Sequence, residues 1–140
     1  MFQKHNYERR NTMNAFNLAL MCLSLNIYHE ARGEPIAGQM AVAYVTLTRA
    51  KERNQSVCQV VYHPKQFSWT SDKKARSPPT GRAWSTASRL SLAAYTSHAS
   101  GTLKTKGATF YHVVGVLPAW TAGKVRVMTI GNHIFYRDVS

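Results

Sequence analysis

Apolar and polar residues alternate in two different rhythms along the chain: helical as far as residue 98 and β-like from residue 107 onward. From Ala15, Leu18, Met21, Cys22 and Leu25 recur at helical spacing, and Asn14 is a suitable cap, so a first helix is expected to begin there. Gly33 and Pro35 should stop it near Arg32. On that helix Leu23, Ile27 and Glu30 share a side, which puts Glu30 in the last turn of a largely buried face. A second helix fits residue 36 or 37 to about 53. Its core, AGQMAVAYVTLTRA, is apolar nearly all round, as suits a central helix, and Gly38 with the alanines permits close packing. Asn54 ends it. The stretch SVCQVVY favours a short helix over a strand, and residues 63–80 read as loop, with Pro64, Pro78, Pro79, a basic cluster, Phe67 and Trp69.

A third helix is expected from about residue 81 to 98, with Trp84, Ala87, Leu90, Ala94 and Tyr95 as its buried stripe and Gly101 as its stop. The segments GATFYHVVGV and VRVMTIGNHIFYRD are rich in β-branched and aromatic residues around Gly131–Asn132, the mark of a short antiparallel ribbon. The predicted class is α+β: helix-rich, with a small antiparallel β element near the C-terminus. At 140 residues the simplest organisation is a flexible basic segment, residues 1–13, followed by a single domain, residues 14–140.

Charge narrows the partners. The chain carries 18 Lys and Arg against 6 Asp and Glu, a formal charge of +12. Such a balance attracts polyanions: nucleic acid, an anionic membrane or an acidic wall polymer. No transmembrane segment is expected, because the apolar stretch after Asn14 is broken by Asn17, Ser24 and Asn26 and falls short of the ~20 residues a span needs. No clear signal peptide is present either. Cys22 and Cys58 lie in apolar surroundings without a CxxC pair; two buried thiols is the favoured reading, with one disulfide as the alternative.

With so few acids, the position of each matters. Glu30 sits at the buried end of a helix, where both desolvation and the helix's exposed carbonyls disfavour a negative charge. That is the environment of a general acid, although a structural Glu paired with Arg32 or a backbone N–H fits the same position. Glu34, beyond the helix stop, suits a structural role, accepting N–H bonds from the start of the next helix, and a carboxylate so close would also raise the Glu30 pKa. Glu8, Glu52, Asp72 and Asp138 lie in tail, surface or ion-pairing contexts. Glycoside cleavage commonly uses two carboxylates. Their scarcity here favours a mechanism with one, in which the same Glu protonates the glycosidic oxygen and then deprotonates the sugar's 6-hydroxyl as it closes an anhydro ring.

Other chemistries find little support. His5, His29, His63, His98, His112 and His133 form no HExxH or Cys/His cluster, so neither metal nor cofactor is expected. No GxSxG or phosphate-binding loop is present. Gln39, Gln66, Tyr111, His112, Asn132 and Tyr136 can line a sugar site, where aromatic faces meet C–H groups and polar side chains meet hydroxyls. Nucleic-acid binding is the rival reading, from charge and aromatics, but no DNA or RNA module is visible and no specific nucleic-acid partner is expected.

Taken together, IYHEARGEPIAGQMAVAYVTLTR, SVCQVVYHPKQFSW, GATFYH, LPAW and TIGNHIFY resemble the SleB/CwlJ-type cell wall hydrolase family over residues 20 to 137. The resemblance implies a lysozyme- or lytic-transglycosylase-like fold and bacterial peptidoglycan as substrate. It implies cleavage between N-acetylmuramic acid and N-acetylglucosamine, forming 1,6-anhydro ends or, alternatively, hydrolysis as a lysozyme. The first Glu of the family's EARGE motif, its catalytic acid, falls on Glu30 and the second on Glu34. Gln39 is a supporting position. The PxQF motif falls on Pro64, Gln66 and Phe67, and GNHxFY on Gly131, Asn132, His133, Phe135 and Tyr136; of these Gln66, Phe67, Asn132, His133 and Tyr136 are expected to bind substrate, together with Tyr111 and His112. His29 stands where many relatives carry a small residue. A phage endolysin is the expected setting: a monomer held in the host cytoplasm until released to the wall, drawn to anionic envelope polymers by its charge.

Overall fold

In the computed structural model, residues 2–99 and 105–139 are described, with side chains from 15–98 and 105–139. The elements are α1 (Phe2–Ala31), α2 (Ile36–Arg53), α3 (Val57–Val61), α4 (Arg82–Ala99) and strands β1 (Phe110–Val113), β2 (Val125–Ile130) and β3 (His133–Arg137). Two short 3-10 turns, Ser68–Ser71 and Lys73–Arg76, break the long loop. The α+β class with a C-terminal antiparallel element is therefore observed, as are the bounds expected for α2. Gly101, expected to end α4, lies outside the described residues.

Two expectations for α1 are corrected. The helix starts at Phe2, well before Asn14, so the polar segment ahead of residue 14 belongs to it from Phe2 onward. Its buried face is also different. Leu18 and Met21 are exposed, whereas Cys22, Leu23, Leu25, Asn26 and Ile27 are buried. Burial on several sides follows because α1 packs against α2, α3 and α4 together.

Helix α2 is central. One side joins Leu23 and Ile27 of α1 to Val57, Val61, Ala87 and Ala94 through Ala43, Tyr44 and Leu47. The other side, through Ala41, Val42 and Val45, packs on Ala31, Ala108 and Phe135 of the β3 strand. This two-sided burial is why its sequence is apolar all round. Asn54 caps α2 in the left-handed conformation, and Ser56 opens α3 with a reciprocal capping box to Gln59.

Cys22 and Cys58 form a disulfide with Cα atoms 5.3 Å apart, tying α1 to α3. This overturns the expectation of two thiols. Both cysteines are apolar-flanked because they share one interface, and that proximity is tertiary rather than legible in spacing.

The sheet has the order β1-β3-β2. The Gly131–Asn132 turn joins β2 to β3, and a bulge between Arg126 and Met128 adjusts their register. The pairings Tyr111↔Phe135 and His112↔Ile134 divide the sheet into two faces. Tyr111, His133 and Phe135 occupy one, in mutual ring contact. Phe110, His112 and Tyr136 occupy the other, beneath Trp120.

Candidate active site

Glu30 lies in the last turn of α1, partly buried, and accepts a 3.2 Å hydrogen bond on Oε1 from the Tyr111 hydroxyl of β1. Burial raises the Glu30 pKa above its ordinary value; the Tyr111 bond and the Arg49 charge oppose that rise without cancelling it. Glu34 is not among the causes, so the expected carboxylate–carboxylate effect is absent and burial accounts for the shift. Nor does Arg32 pair with Glu30: its guanidinium sits over the Tyr28 ring at 4.6 Å.

Tyr111 is itself held as a proton donor. Burial and the nearby Glu30 push its pKa well above the usual phenol range. Phe67 stacks against its ring at 6.5 Å, and the Asn26 side chain works against part of that rise. Asn26 is fully buried, four residues before Glu30, and is fixed by Trp69 Nε1, which donates to its Oδ1 at 3.0 Å. His29 stacks on the same Trp69 ring and contacts the Ala75 carbonyl at 2.8 Å, so the unusual histidine anchors the basic loop to α1.

Arg49 completes the surroundings from α2. Its Nε donates to the Thr109 carbonyl at 2.6 Å, while the buried Nη1 has no hydrogen-bond partner. The guanidinium lies 5.6 Å from the Phe67 ring centre and 5.8 Å from that of Phe110. Burial lowers its pKa to about 10, so it stays charged at neutral pH. Neither Asn26 nor Arg49 stood out as a site residue in the sequence. The available signals were a polar residue at i−4 from Glu30 and a lone cation in the apolar run of α2.

Glu34 has a different task from the one expected. Its Oε2 accepts the Asn132 backbone N–H at 3.2 Å, in the β2–β3 turn rather than at the start of α2. Oε1 lies 3.6 Å from His133 Nδ1. That distance is too long for a hydrogen bond, and burial holds His133 below its usual pKa. Gln39 is buried and donates to the Glu34 carbonyl at 3.0 Å. These contacts pin the GNH turn to the α1–α2 junction.

Glu30, Tyr111 and Phe67 thus come together, and His133 joins them through the Tyr111 ring. Phe67 is buried and serves as a support for Tyr111 rather than as a substrate contact. His112 and Tyr136 are corrected more strongly. They bond to each other at 2.9 Å on the opposite sheet face from Tyr111, because strand alternation turns neighbours to opposite sides. The Gln66 side chain is half-buried and that of Asn132 exposed. The other described acids are elsewhere: Glu52 is exposed, Asp72 caps the Lys74 N–H, and Asp138 pairs with Lys124. Among the described residues no group of three or more His, Cys, Asp or Glu is arranged to hold a metal ion. A groove of about 730 Å³, lined by Phe16, Lys51, Tyr95 and His98, lies between α1, α2 and α4 and includes neither Glu30 nor Tyr111.

Fold and site together define a helical domain in which a partly buried acid of raised pKa, Glu30, is held against a small sheet. The chain belongs to the cell wall hydrolase family, which it matches over residues 33–136. The spore cortex-lytic enzyme of Halalkalibacterium halodurans is 30% identical over 112 residues, 78% of this chain and 32% of that protein. The chain therefore spans about a third of that relative's length. Two solved structures share the fold. The catalytic domain of the germination-specific lytic transglycosylase SleB from Bacillus anthracis superposes with a TM-score of 0.71 and 28% identity, covering 85% of this chain and 93% of that one. The SleB catalytic domain of Bacillus cereus gives 0.70 and 28%, covering 85% and 89%. The family match opens three residues after Glu30, so the assignment of the acid rests on its surroundings.

Proposed function

We propose that this protein is a lytic transglycosylase that cuts peptidoglycan between N-acetylmuramic acid and N-acetylglucosamine, with Glu30 as its acid and base. Family membership supports peptidoglycan degradation. The finer chemistry is carried by one observation: Glu30 is a partly buried carboxyl with a raised pKa, and among the described residues no second carboxylate is one of the groups acting on it. In this reading protonated Glu30 gives its proton to the glycosidic oxygen as the C1–O bond breaks, leaving an oxocarbenium-like centre on the muramic ring. The resulting Glu30 carboxylate is stabilised by the Tyr111 hydroxyl and the Arg49 charge. It then accepts the proton of the 6-hydroxyl as O6 bonds to C1, which regenerates the acid and closes the 1,6-anhydro ring. The similarity to a lytic transglycosylase domain supports the same outcome.

The biological setting proposed is a monomeric phage endolysin, made in the host cytoplasm and acting after release to the wall. The +12 charge suits attraction to anionic envelope polymers. The Cys22–Cys58 disulfide suits work outside a reducing cytoplasm. Digestion of purified peptidoglycan followed by mass spectrometry tests the chemistry. Anhydro-muramoyl ends support it, whereas reducing muramic ends make the enzyme a hydrolytic muramidase.

A further inference from the structure

From Val113, the last residue of β1, the chain runs through VVGVLPAW towards β2, and five consecutive residues, 113–117, are exposed. All are apolar or glycine. Leu117 is 82% exposed and Val114 53%. A run of exposed aliphatic side chains on a folded domain marks a surface that meets something apolar. The segment is held in shape. The Val114 N–H donates to the Asn132 carbonyl at 2.8 Å, and Thr121 Oγ1 donates to the Pro118 carbonyl at 2.9 Å. At its base Trp120 rests edge-on against Tyr136 with ring centres 5.6 Å apart, and its own ring stays partly exposed.

We propose that this loop docks the protein on an anionic lipid surface. Three features select that partner. First, residues 113–118 offer no polar side chain and no aromatic ring, so they lack both elements that bind a sugar: hydroxyl partners and a stacking face. Second, the exposed run is only five residues long, fewer than the roughly 20–30 a stable protein partner engages on each side. Third, every charged residue between Asp72 and Asp138 is Lys or Arg; Asp138 pairs with one of them, Lys124, and the stretch keeps a large positive excess. Arg126 on β2 is exposed, and Lys124 lies 4.2 Å from the Phe110 ring, which packs on Trp120. Aliphatic tip, tryptophan at its base and cations behind form the order in which side chains meet acyl chains, the interface and anionic headgroups. This inference is independent of the bond that Glu30 cuts.

The test is co-sedimentation of the full chain with vesicles of phosphatidylglycerol and phosphatidylethanolamine, against vesicles of phosphatidylcholine, at low and high salt. Expected are at least ~10-fold tighter binding to the anionic vesicles and weakening with salt. Val116→Ser with Leu117→Ser should lower vesicle binding at least ~5-fold, while activity on purified, lipid-free peptidoglycan and the melting temperature stay as in the wild type. Leu117→Trp should strengthen vesicle binding. Equal binding to both lipids, or vesicle binding unmoved by the serine and tryptophan changes, overturns the proposal. Loss of activity on lipid-free peptidoglycan in the serine variant, with vesicle binding intact, assigns the loop to the glycan instead.

Discussion

The Tyr111 hydroxyl donates to Glu30 Oε1 at 3.2 Å and so joins the first helix to the first strand across 81 positions. This bond favours the carboxylate, while burial favours the acid. A residue that must give a proton and then take one back needs both influences. Tyr111→Phe removes only the donor. Glu30 should then hold its proton to higher pH, moving the alkaline limb of the activity profile upward. The maximal rate should fall about 10-fold, as for a lost hydrogen bond to a charged group. A pH–rate profile on purified peptidoglycan checks this; an unmoved limb means the bond is not felt in the reaction.

Glu30→Gln preserves shape and abolishes proton transfer, and activity should drop at least ~100-fold. Stability gives a second readout. The folded pKa lies above the 4.5 of an ordinary Glu, so its contribution is full below pH 4.5 and lost as pH rises through the folded value. Glutamine does not titrate. The variant should therefore melt like the wild type near pH 4 and higher than it at pH 8. A variant less stable at pH 8 contradicts the desolvated acid.

Arg49 is the buried cation of the site, and it also holds the Thr109 carbonyl ahead of β1. Arg49→Lys keeps charge but loses the planar fork, whereas Arg49→Met loses both. The Met variant should shift the alkaline limb upward, as Tyr111→Phe does, because one more influence favouring the Glu30 carboxylate is gone. The Lys variant should shift it less. Equal limbs in wild type and Met variant would show that the charge does not reach Glu30.

Much of this site was legible in local patterns. The α1 stop at Gly33 and the face shared by Leu23, Ile27 and Glu30 both follow from residues a few positions apart, and those put the acid where it stands. The failures came from longer range. Alternation along β1 already separates Tyr111 from His112, but which face meets α1 depends on Phe135 packing against α2. The Glu34 partner is Asn132 of a distant turn, whereas local reasoning offered only the neighbouring helix. The disulfide likewise depends on α1 and α3 sharing an interface. The role of Arg49 is not legible in the sequence, because one cation in an apolar helix gives no sign of what it faces.

Gly131 is pressed against the α1–α2 junction. Its φ is +54°, and a Cβ there would collide with the Glu34 carboxylate and the Pro35 ring. Gly131→Ala should cost about 2 kcal/mol or more, from strain and from displacing Glu34. Glu34→Ala should cost about 1–2 kcal/mol through the lost Asn132 bond. Since the alanine at 131 collides partly with Glu34, the double variant should be less destabilised than the sum of the two. Urea melts of all four proteins measure the coupling; strict additivity would mean that the turn does not rest on Glu34.

The disulfide closes a loop of 36 positions between α1 and α3. Crosslinking a loop of that size restricts the unfolded chain by about 3–4 kcal/mol in the loop-entropy picture. Cys58→Ser, or reduction with dithiothreitol, should therefore lower the melting temperature by roughly 10 °C. Glu30 and Tyr111 lie away from the bond, so activity well below the melting transition should survive. Wild type and Cys58→Ser should also respond differently to reductant, since only the wild type has a bond to lose. Identical melting curves for oxidised and reduced wild type would show that α3 docks on α1 without the crosslink.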